Sequence, residues 1–289
     1  KKYSVVGLCR IRDDLTNLHK DIPIEYCDIL DKYNVDSLIK RVKPDIIFHL
    51  AAQSFVGISW EAPDLTLQTN IIGTLNLLEA VRNHCPKAIF HVASSSQVYG
   101  KVEKFPMTVD TPFNPQSPYD VSKLAQEMLV RQYHSSFGLN IRVTRAFNIT
   151  GPRRSPQFAE TSFAYQIARA EKGLQNSIKV GNLDTSRDYI DVRDAVEGYI
   201  LAVEKGNADS IYLLCSGKAT SIKDILYRLL KFSNVRDIKI EVDKKRVRPS
   251  DTPYMVGDYS GSFKDLGWSP QINLDKTLRD LLEYYRGKI

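Results

Sequence analysis

The sequence reads AIFHVASSSQVYG over residues 88–100 and SPYDVSK over residues 117–123, and these two stretches decide the fold. The first begins as an apolar run that is typical of a buried strand, and it ends in three serines, Ser94 to Ser96. The second predicts a helix that begins near Pro118, because proline is favoured in the first turn of a helix. A buried strand followed by a polar loop and a helix is typical of one unit of an α/β fold.

The same alternation continues on both sides of these stretches. Apolar runs predict strands over residues 3–8, 24–27, 45–50, 88–93 and 140–145. Helical spacing of apolar residues predicts helices over residues 31–42, 68–83 and 118–137. Strands that alternate with helices in this way imply parallel strands with crossover helices, and therefore a Rossmann-type doubly wound parallel sheet.

After Asn148 the alternation becomes looser, and we expect a smaller C-terminal lobe. Helices are predicted over residues 163–173, 192–204, 221–232 and 274–285. Strands are predicted over residues 178–180 and 211–215. Asp191 and Ser221 are the expected N-caps of two of these helices, because their short polar side chains can accept a backbone N–H.

Composition indicates an ordinary globular protein without a nucleic-acid or membrane partner. The chain has 289 residues, and 40 Lys and Arg against 34 Asp and Glu give a formal net charge of +6. These basic residues are scattered, apart from a cluster at residues 244–248 that we interpret as a surface loop. No apolar run approaches the roughly 18 residues of a membrane span. The four cysteines form no CxxC pair, which predicts no metal site and fits a reducing cytoplasm.

Tyr119 and Lys123 are four residues apart on a predicted helix, so their side chains share one face. Because an ammonium favours a phenolate, we expect Lys123 to lower the pKa of Tyr119 toward neutrality. Helices produce this spacing by chance, so it carries little information alone. Ser95 strengthens the interpretation, because ligands of open α/β sheets bind beyond the carboxyl ends of strands, where this serine is expected.

Several ordered motifs resemble the extended short-chain dehydrogenase/reductase family, specifically its nucleotide-sugar-modifying members. They extend over essentially the whole chain and are LAAQS (50–54), NIIGT (70–74), ASSSQVYG (93–100), SPYDVSK (117–123), RAFNITGPR (145–153), SRDYIDVRDAVEGY (186–199) and RPSD (248–251). The segments SFVGISW (54–60) and VGNLDTSRDYIDVRD (180–194) are similar to the group of GDP-mannose dehydratases and GDP-4-keto-6-deoxy-D-mannose reductases. The resemblance implies a nicotinamide cofactor at the carboxyl edge of the sheet and a nucleotide sugar, GDP-linked in this group, under the C-terminal lobe.

The resemblance also implies a division into two parts. Residues 1–148 would form the dinucleotide-binding domain, to which residues 186–215 return. Residues 149–185 and 216–289 would form the nucleotide-sugar-binding lobe. Relatives commonly pair through two helices, here residues 68–83 and 118–137, so a homodimer is expected.

Catalytic roles follow from the same resemblance. Ser95 would hold the sugar carbonyl or hydroxyl, and Tyr119 would transfer the proton. Lys123 would hydrogen-bond the nicotinamide ribose. The other cofactor-binding residues would be Asp28 and Ile29 at the adenine, Leu50, Ala51 and Ala52 along the cofactor, and Asn70 at the end of its helix. Asp28 could instead be a strand-end turn residue, and Asn70 could merely anchor a loop.

Arg10 follows the strand in GLCR (7–10), where members of this family select their cofactor at the adenosine ribose. A guanidinium there offers two donors to a 2′-phosphate, whereas an acid is usual for NAD. We therefore expect NADP, with NAD as the alternative. An exposed strand-end arginine without this role is the other interpretation.

On the substrate side the matching positions are Ser95, Gln97, Asn148, Val180, Arg187 and Arg248. Asn148 and Arg187 match positions that contact the diphosphate of the nucleotide sugar, and Arg248 is a further candidate. Asn148 could equally be a turn former before Gly151, and Arg187 could form a surface ion pair.

Gln97 is the departure that bears on the reaction. The 4,6-dehydratases of this family carry a glutamate there as general acid and base, and an amide cannot shuttle that proton. We therefore expect loss of elimination but retention of hydride transfer at C4, as in a 4-ketoreductase. A 4,6-dehydratase, a 4-epimerase and a non-catalytic nucleotide-binding or scaffold protein are the alternatives.

The glycine-rich fingerprint that meets the cofactor pyrophosphate in this family is absent from the sequence. The run at residues 3–8 corresponds to the second strand of the family, so the first strand and its glycine loop are missing. We expect the sequence to be a fragment whose sheet has a gap beside this strand.

Overall fold

The structure is a computed structural model that describes residues 3–11, 15, 18–235, 237–246 and 252–289. Its strands are β1 Gly7–Cys9, β2 Ile24–Tyr26, β3 Ile46–His49, β4 Ile89–Ser95, β5 Asn140–Ala146, β6 Asn148–Thr150, β7 Ser177–Val180, β8 Ser186–Asp191, β9 Ser210–Leu214, β10 Ala219–Ser221 and β11 Lys239–Val242. Its α-helices are α1 Lys32–Val42, α2 Val56–Glu61, α3 Pro63–Leu67, α4 Gly73–His84, α5 Pro118–Phe137, α6 Ala159–Glu171, α7 Val192–Lys205, α8 Ile222–Phe232, α9 Ser260–Leu266 and α10 Leu274–Arg286. A π-helical turn, Gln68–Ile72, leads into α4, and 3-10 turns cover Ser96–Tyr99 and Lys244–Arg246.

The parallel strands of the N-terminal half form two separate hydrogen-bonded sets. Strands β3, β4, β5 and β9 lie in that order in one sheet and are all parallel. Strand β1 pairs in parallel with β2, and within the described residues no ladder joins this pair to β3. The predicted Rossmann-type parallel sheet is therefore confirmed, with its described parallel strands divided between these two sets.

Helix α5 follows the residue types at its ends. The Ser117 side chain accepts the N–H of Asp120, Pro118 occupies the first turn, and Gly138 ends the helix with a φ of 70°. The predicted bounds of this helix are confirmed. Asp191 and Ser221 cap α7 and α8, as the sequence predicts.

Both faces of the four-stranded sheet are covered. On one face α1, α4 and α5 enclose a core that contains Leu78, Phe90 and Val130. On the other face α7 packs Tyr199 and Ala202 near Trp268, which follows α9. Helices on both faces of a parallel sheet are what the doubly wound arrangement requires.

The C-terminal lobe has a core of its own between α6, α8 and α10, and the expected smaller lobe is confirmed. Strand β8 lies between β6, which is parallel to it, and β10, which is antiparallel. Strand β7 pairs with β11 beside them. The exact division of the chain into two domains stays a prediction.

Several elements have no counterpart in the sequence-based prediction, namely α2, α3, α9, β6, β8, β10 and β11. All of them have seven residues or fewer, too few to display a clear period. In the described part of the chain, no helix combines the length and apolar character needed to cross a bilayer.

Candidate active site

A cavity of about 1110 Å³ opens at the carboxyl edge of the four-stranded sheet. Residues that follow β3, β4 and β5 form one wall, and residues of the C-terminal lobe form the opposite wall. The lining includes Leu50 after β3, Gln97 after β4 and Asn148 after β5. Ligands of open α/β sheets bind at this edge, so the cavity is the candidate active site.

Ser95, Tyr119 and Lys123 meet in the wall of this cavity. Ser95 ends β4, and the other two residues lie on the first two turns of α5. The Ser95 hydroxyl favours the ionised form of the Tyr119 phenol, and its oxygen accepts the backbone N–H of Gln97 at 3.2 Å. The Lys123 amine donates to the carbonyl oxygen of Ala93 at 2.7 Å and to Oε1 of Gln126 at 2.9 Å. All three predicted catalytic side chains are at least 90% buried.

Burial decides the protonation of the phenol. It raises the pKa of Tyr119 to about 12, and the Ser95 hydroxyl and the Arg154 guanidinium oppose that rise only in part. The expectation that Lys123 lowers this pKa toward neutrality is therefore wrong for this structure, because the cost of burying a phenolate exceeds the stabilisation by its neighbours. The phenol is protonated at neutral pH and is available as a proton donor.

Burial acts on the amine in the opposite direction. It lowers the pKa of Lys123 to about 8, although the nearby Glu127 carboxylate favours the charged form. Most of the amine is therefore an ammonium at pH 7, but it loses its charge within the range in which enzymes are assayed.

The predicted cofactor residues divide into two sets. Leu50 and Ala52 line the cavity, whereas the exposed Ala51 between them is not part of its lining. Arg10 is exposed directly after β1, and Asp28 is exposed one residue further on from the end of β2, after Cys27. An exposed leucine, a lysine donor and a strand-end arginine suit the apolar ring, ribose and phosphate of a nicotinamide dinucleotide, so the residues present fit this cofactor.

Three further predicted residues do not line the cavity. Ile29 is buried in the core against α4, and Val180 is buried in the core of the C-terminal lobe. The Asn70 amide holds the backbone N–H and C=O of Gln53 at 2.8 and 3.0 Å and donates to the Ser122 hydroxyl at 2.8 Å. Asn70 therefore anchors the loop after β3, and a contact of Ile29, Asn70 or Val180 with cofactor or substrate stays a prediction.

On the substrate side Gln97, Asn148 and Arg187 line the cavity, as expected. Arg187 is only 6% exposed, so the alternative of a surface ion pair is wrong. It lies on β8, whose next residue, Asp188, accepts hydrogen bonds from the backbone of residues 216, 217 and 257 and fixes this strand. Arg248 lies outside the described residues.

The cavity also contains charged residues that the sequence analysis missed. Arg154 and Arg246 line it with Lys123 and Arg187, whereas the carboxylates of the described lining are Glu61 and Glu160. Glu160 pairs with Arg154 at 2.8 Å. The excess of cations favours an anionic ligand. Arg154 follows the RAFNITGPR motif directly, and this position was the only signal that could have identified it.

An aromatic contact spans the two sides of the cavity. Phe55, in the loop after β3, meets Phe158 edge to face with ring centroids 5.4 Å apart. The Arg154 guanidinium lies 3.7 Å from the centroid of the Phe158 ring. Among the described residues no group of three or more His, Cys, Asp or Glu side chains is arranged to hold a metal ion.

Comparisons with known proteins agree with this geometry. A family profile described as GDP-mannose 4,6 dehydratase matches residues 2–281. GDP-6-deoxy-D-mannose reductase of Pseudomonas aeruginosa is 34% identical over 271 residues, which are 93% of this chain and 88% of the relative.

Two solved structures are similar over nearly the whole chain. The structure of RMD from Pseudomonas aeruginosa complexed with NADPH has a TM-score of 0.88 at 30% identity and covers 99% of this chain and 100% of that chain. The UDP-glucose 4-epimerase of Thermotoga maritima with UDP-glucose has a TM-score of 0.92 at 27% identity and covers 99% of this chain and 92% of that chain.

Proposed function

The chain belongs to the GDP-mannose 4,6-dehydratase family within the extended short-chain dehydrogenases/reductases, and from this premise we propose that it is an NADPH-dependent 4-ketoreductase. Its substrate would be a nucleotide-activated 4-keto-6-deoxy-hexose. We propose GDP-4-keto-6-deoxy-D-mannose, with GDP-D-rhamnose as the product.

Gln97 carries this proposal. It follows the Ser95 end of β4 and lines the cavity, where an eliminating relative would have a glutamate. The carboxylates of the described lining are Glu160, which pairs with Arg154, and Glu61 on α2. Neither belongs to the Ser95 and Tyr119 pair. Among the described lining residues, no carboxylate accompanies Ser95 and Tyr119 to remove the C5 proton and deliver a proton to C6, whereas reduction at C4 needs only a proton donor such as the Tyr119 phenol.

The buried hydroxyls supply what reduction needs. A bound nicotinamide supplies the hydride that adds to the C4 carbon. Tyr119 donates its proton to the C4 oxygen, since the pKa of about 12 keeps the phenol protonated. The Ser95 hydroxyl donates a hydrogen bond to the same oxygen and stabilises the charge that develops on it. The ammonium of Lys123 would hold the nicotinamide ribose.

The basic wall of the C-terminal lobe suits the diphosphate of the substrate. Arg187 is buried and lines the cavity, and Arg246 lines it from the segment after β11. Two guanidinium groups can form charge-assisted hydrogen bonds with the two phosphates. The similarity to GDP-6-deoxy-D-mannose reductase supports guanosine as the nucleoside.

We propose NADPH as the preferred cofactor, and two observations support it. The exposed Arg10 directly follows β1, where a cation would meet a 2′-phosphate. The solved relative from Pseudomonas aeruginosa is a complex with NADPH.

Dehydration of GDP-mannose is the second candidate because the matching family profile bears that description. Epimerisation at C4 is the third, since the fold of the Thermotoga maritima epimerase is very similar. Both leave the cofactor unchanged over a full cycle, in contrast to reduction.

Cofactor consumption therefore separates these candidates. The purified protein is incubated with NADPH and GDP-4-keto-6-deoxy-mannose, and absorbance at the nicotinamide band is followed. The proposal predicts stoichiometric oxidation of NADPH, and no turnover of GDP-mannose. Turnover of GDP-mannose without NADPH oxidation would contradict it, as would interconversion of C4 isomers.

We also propose a homodimer that pairs through α4 and α5. Exposed apolar side chains on α5 support it, namely Val121, Met128 and Phe137. Sedimentation at micromolar concentration should give twice the chain mass, and Met128→Glu should shift it to the chain mass. A single-chain mass for the unmodified protein would contradict the proposal.

A further inference from the structure

Gln126 is a fully buried polar side chain in direct contact with the amine of Lys123. It lies on α5, three residues after Lys123, and its exposed fraction is 0%. Its Oε1 accepts the Lys123 amine at 2.9 Å, and the carbonyl of Ala93 is the second protein acceptor of that amine. Burying an amide is unfavourable unless its hydrogen bonds are satisfied, so the site is built around these contacts.

The other end of the Gln126 amide faces the neighbouring helix and strand. Its Nε2 donates to the Thr74 hydroxyl at 2.7 Å and lies 3.2 Å from Nε2 of His49. The Thr74 hydroxyl donates to the carbonyl of Asn70 at 2.7 Å. Since Asn70 also holds Gln53, the chain of contacts runs from the Lys123 amine to the loop that lines the cavity after β3.

Gln126, Thr74 and His49 together form a clamp around the Lys123 side of this network, and the clamp carries no charge of its own. An amide does not titrate, and burial lowers the pKa of His49 to about 3, so the imidazole stays neutral. The amine interacts electrostatically with Glu127 on α5 and with His49 on β3. At one remove, His91 on β4 acts on His49, Arg145 on β5 pairs with Glu127, and Tyr199 on α7 interacts with Tyr119 on α5. Glu127 is the anion among them, and Arg145 pairs with it at 2.5 Å.

We propose that Gln126 is a positioning residue that holds the Lys123 amine toward the cavity and sets the balance between its charged and neutral forms. A neutral acceptor stabilises the ammonium by a hydrogen bond but does not keep it charged. A carboxylate at the same place would keep the amine charged. The amine consequently retains a proton at neutral pH and releases it a little above. The consequence for turnover rests on the proposed function, whereas the effect on the amine does not.

The test measures the titration of Lys123 in the protein alone. The Cε resonance of Lys123 is followed by NMR between pH 6 and 11 in protein that contains 13C-labelled lysine, and a Lys123→Arg variant assigns the resonance. Gln126→Met keeps the length of the side chain but removes its acceptor, so the midpoint should fall by about one pH unit. Gln126→Glu places a carboxylate against the ammonium, so the midpoint should rise by about one unit or more.

Gln166→Met is the matched control, because Gln166 is also a buried helical glutamine with both ends bonded, to the backbone of Lys179 and to Ser162. It should weaken the fold and leave the Lys123 midpoint unchanged. Shifts in opposite directions in the two Gln126 variants support the proposal. An unchanged midpoint, or a shift of the same sign in both variants, would overturn it. If the Glu variant does not fold, the Met variant decides by the same criterion: a lower midpoint supports the proposal and an unchanged one overturns it.

The affinity for NADPH gives a second readout. Fluorescence titrations between pH 7 and pH 9 measure this affinity in Gln126→Met and in the unmodified protein. In both proteins the affinity for NADPH should fall as the pH rises, and in Gln126→Met the fall should occur at a pH about one unit lower. A change in affinity that is equal at both pH values would indicate a merely structural role and would contradict the proposal. Neither readout needs turnover of a keto sugar, so failure of the reductase assignment would remain distinguishable.

Discussion

The expected cofactor site has a nicotinamide end and an adenosine end, and these two ends differ in how far their side chains are buried. At one end Ser95, Tyr119 and Lys123 are at least 90% buried, and the protein supplies hydrogen-bond partners to Ser95 and Lys123. At the other end Arg10 and Asp28 are exposed after β1 and β2, and within the described residues this pair of strands forms no ladder with the main sheet. At the buried end the surroundings shift pKa values and define the chemistry. At the exposed end water screens the charges, so single residues there should tune selectivity.

The largest difference between the two ends should appear when the phenol is removed. Tyr119→Phe should lower kcat by about 10²- to 10⁴-fold, because proton donation is lost while the ring still fills its site. Tyr133→Phe on the same helix is the control, since its hydroxyl donates to Glu79 at 2.6 Å and is not in the cavity lining. This variant should retain the turnover of the parent protein. Equal turnover in both variants would remove Tyr119 from the mechanism.

A second contrast concerns two ion pairs. Glu127→Gln breaks the fully buried pair with Arg145 and leaves a buried guanidinium without its anion, so the free energy of unfolding should fall by about 3–5 kcal/mol. Arg41→Met breaks the exposed Arg41–Glu25 pair, which joins α1 to β2, and should have a much smaller effect. Urea unfolding measures both. Similar losses of unfolding free energy in the two variants would show that the buried pair and the exposed pair do not differ in their contribution to stability.

The Lys123 amine predicts a pH dependence at the buried end. Since its pKa is about 8, the charged fraction falls about tenfold between pH 7 and pH 9, and affinity for NADPH should weaken by about the same factor. Lys123→Met should bind weakly at both pH values. An affinity of the unmodified protein that is constant from pH 7 to 9 would contradict the role of the ammonium.

The lowered pKa of Lys123 affects binding and stability in opposite directions. As the pH rises, binding of NADPH should weaken, whereas the contribution of Lys123 to the free energy of unfolding should increase. The folded-state pKa of Lys123 is lowered from its usual 10.5, so between about pH 8 and 10.5 the unfolded chain binds the extra proton. The contribution of this group to the free energy of unfolding therefore rises with pH in that window. Stability measured in Lys123→Met and in the unmodified protein should diverge there, with the advantage of the unmodified protein growing with pH.

The smallest effect is expected at the exposed end. Arg10→Ala should raise the dissociation constant for NADPH about five- to tenfold and leave that for NADH unchanged, because only NADPH carries a 2′-phosphate. Lys20→Ala, another exposed cation, is the control. Equal weakening of both cofactors would mean that Arg10 does not select between them.

Much of the fold could be predicted because its signals are local. Pro118 and Gly138 bound α5, and the caps Asp191 and Ser221 begin α7 and α8, so these helices are defined by residues within a few positions of their ends. The short elements between residues 54 and 67 could not be predicted in the same way. Helices of five or six residues show too little of the 3.6-residue period.

The site was predictable in its residues but not in its electrostatics. Motifs placed Ser95, Tyr119 and Lys123 in one cavity wall, whereas the sign of the Tyr119 pKa shift depends on burial, which no local pattern contains. The clamp around Gln126 joins residues up to 77 positions apart in the chain. Contacts of this kind follow from strand order and helix packing, so they emerge only in the folded molecule.

The proposed reaction is a single hydride transfer to C4 without elimination of water. NADPH that carries deuterium at the transferable position is incubated with GDP-4-keto-6-deoxy-mannose, and the product is analysed by mass spectrometry and proton NMR. We predict one deuterium per sugar, located at C4, and one NADP⁺ formed for each product molecule. A product without deuterium at C4, or conversion of GDP-mannose by the same protein, would contradict the proposed reaction.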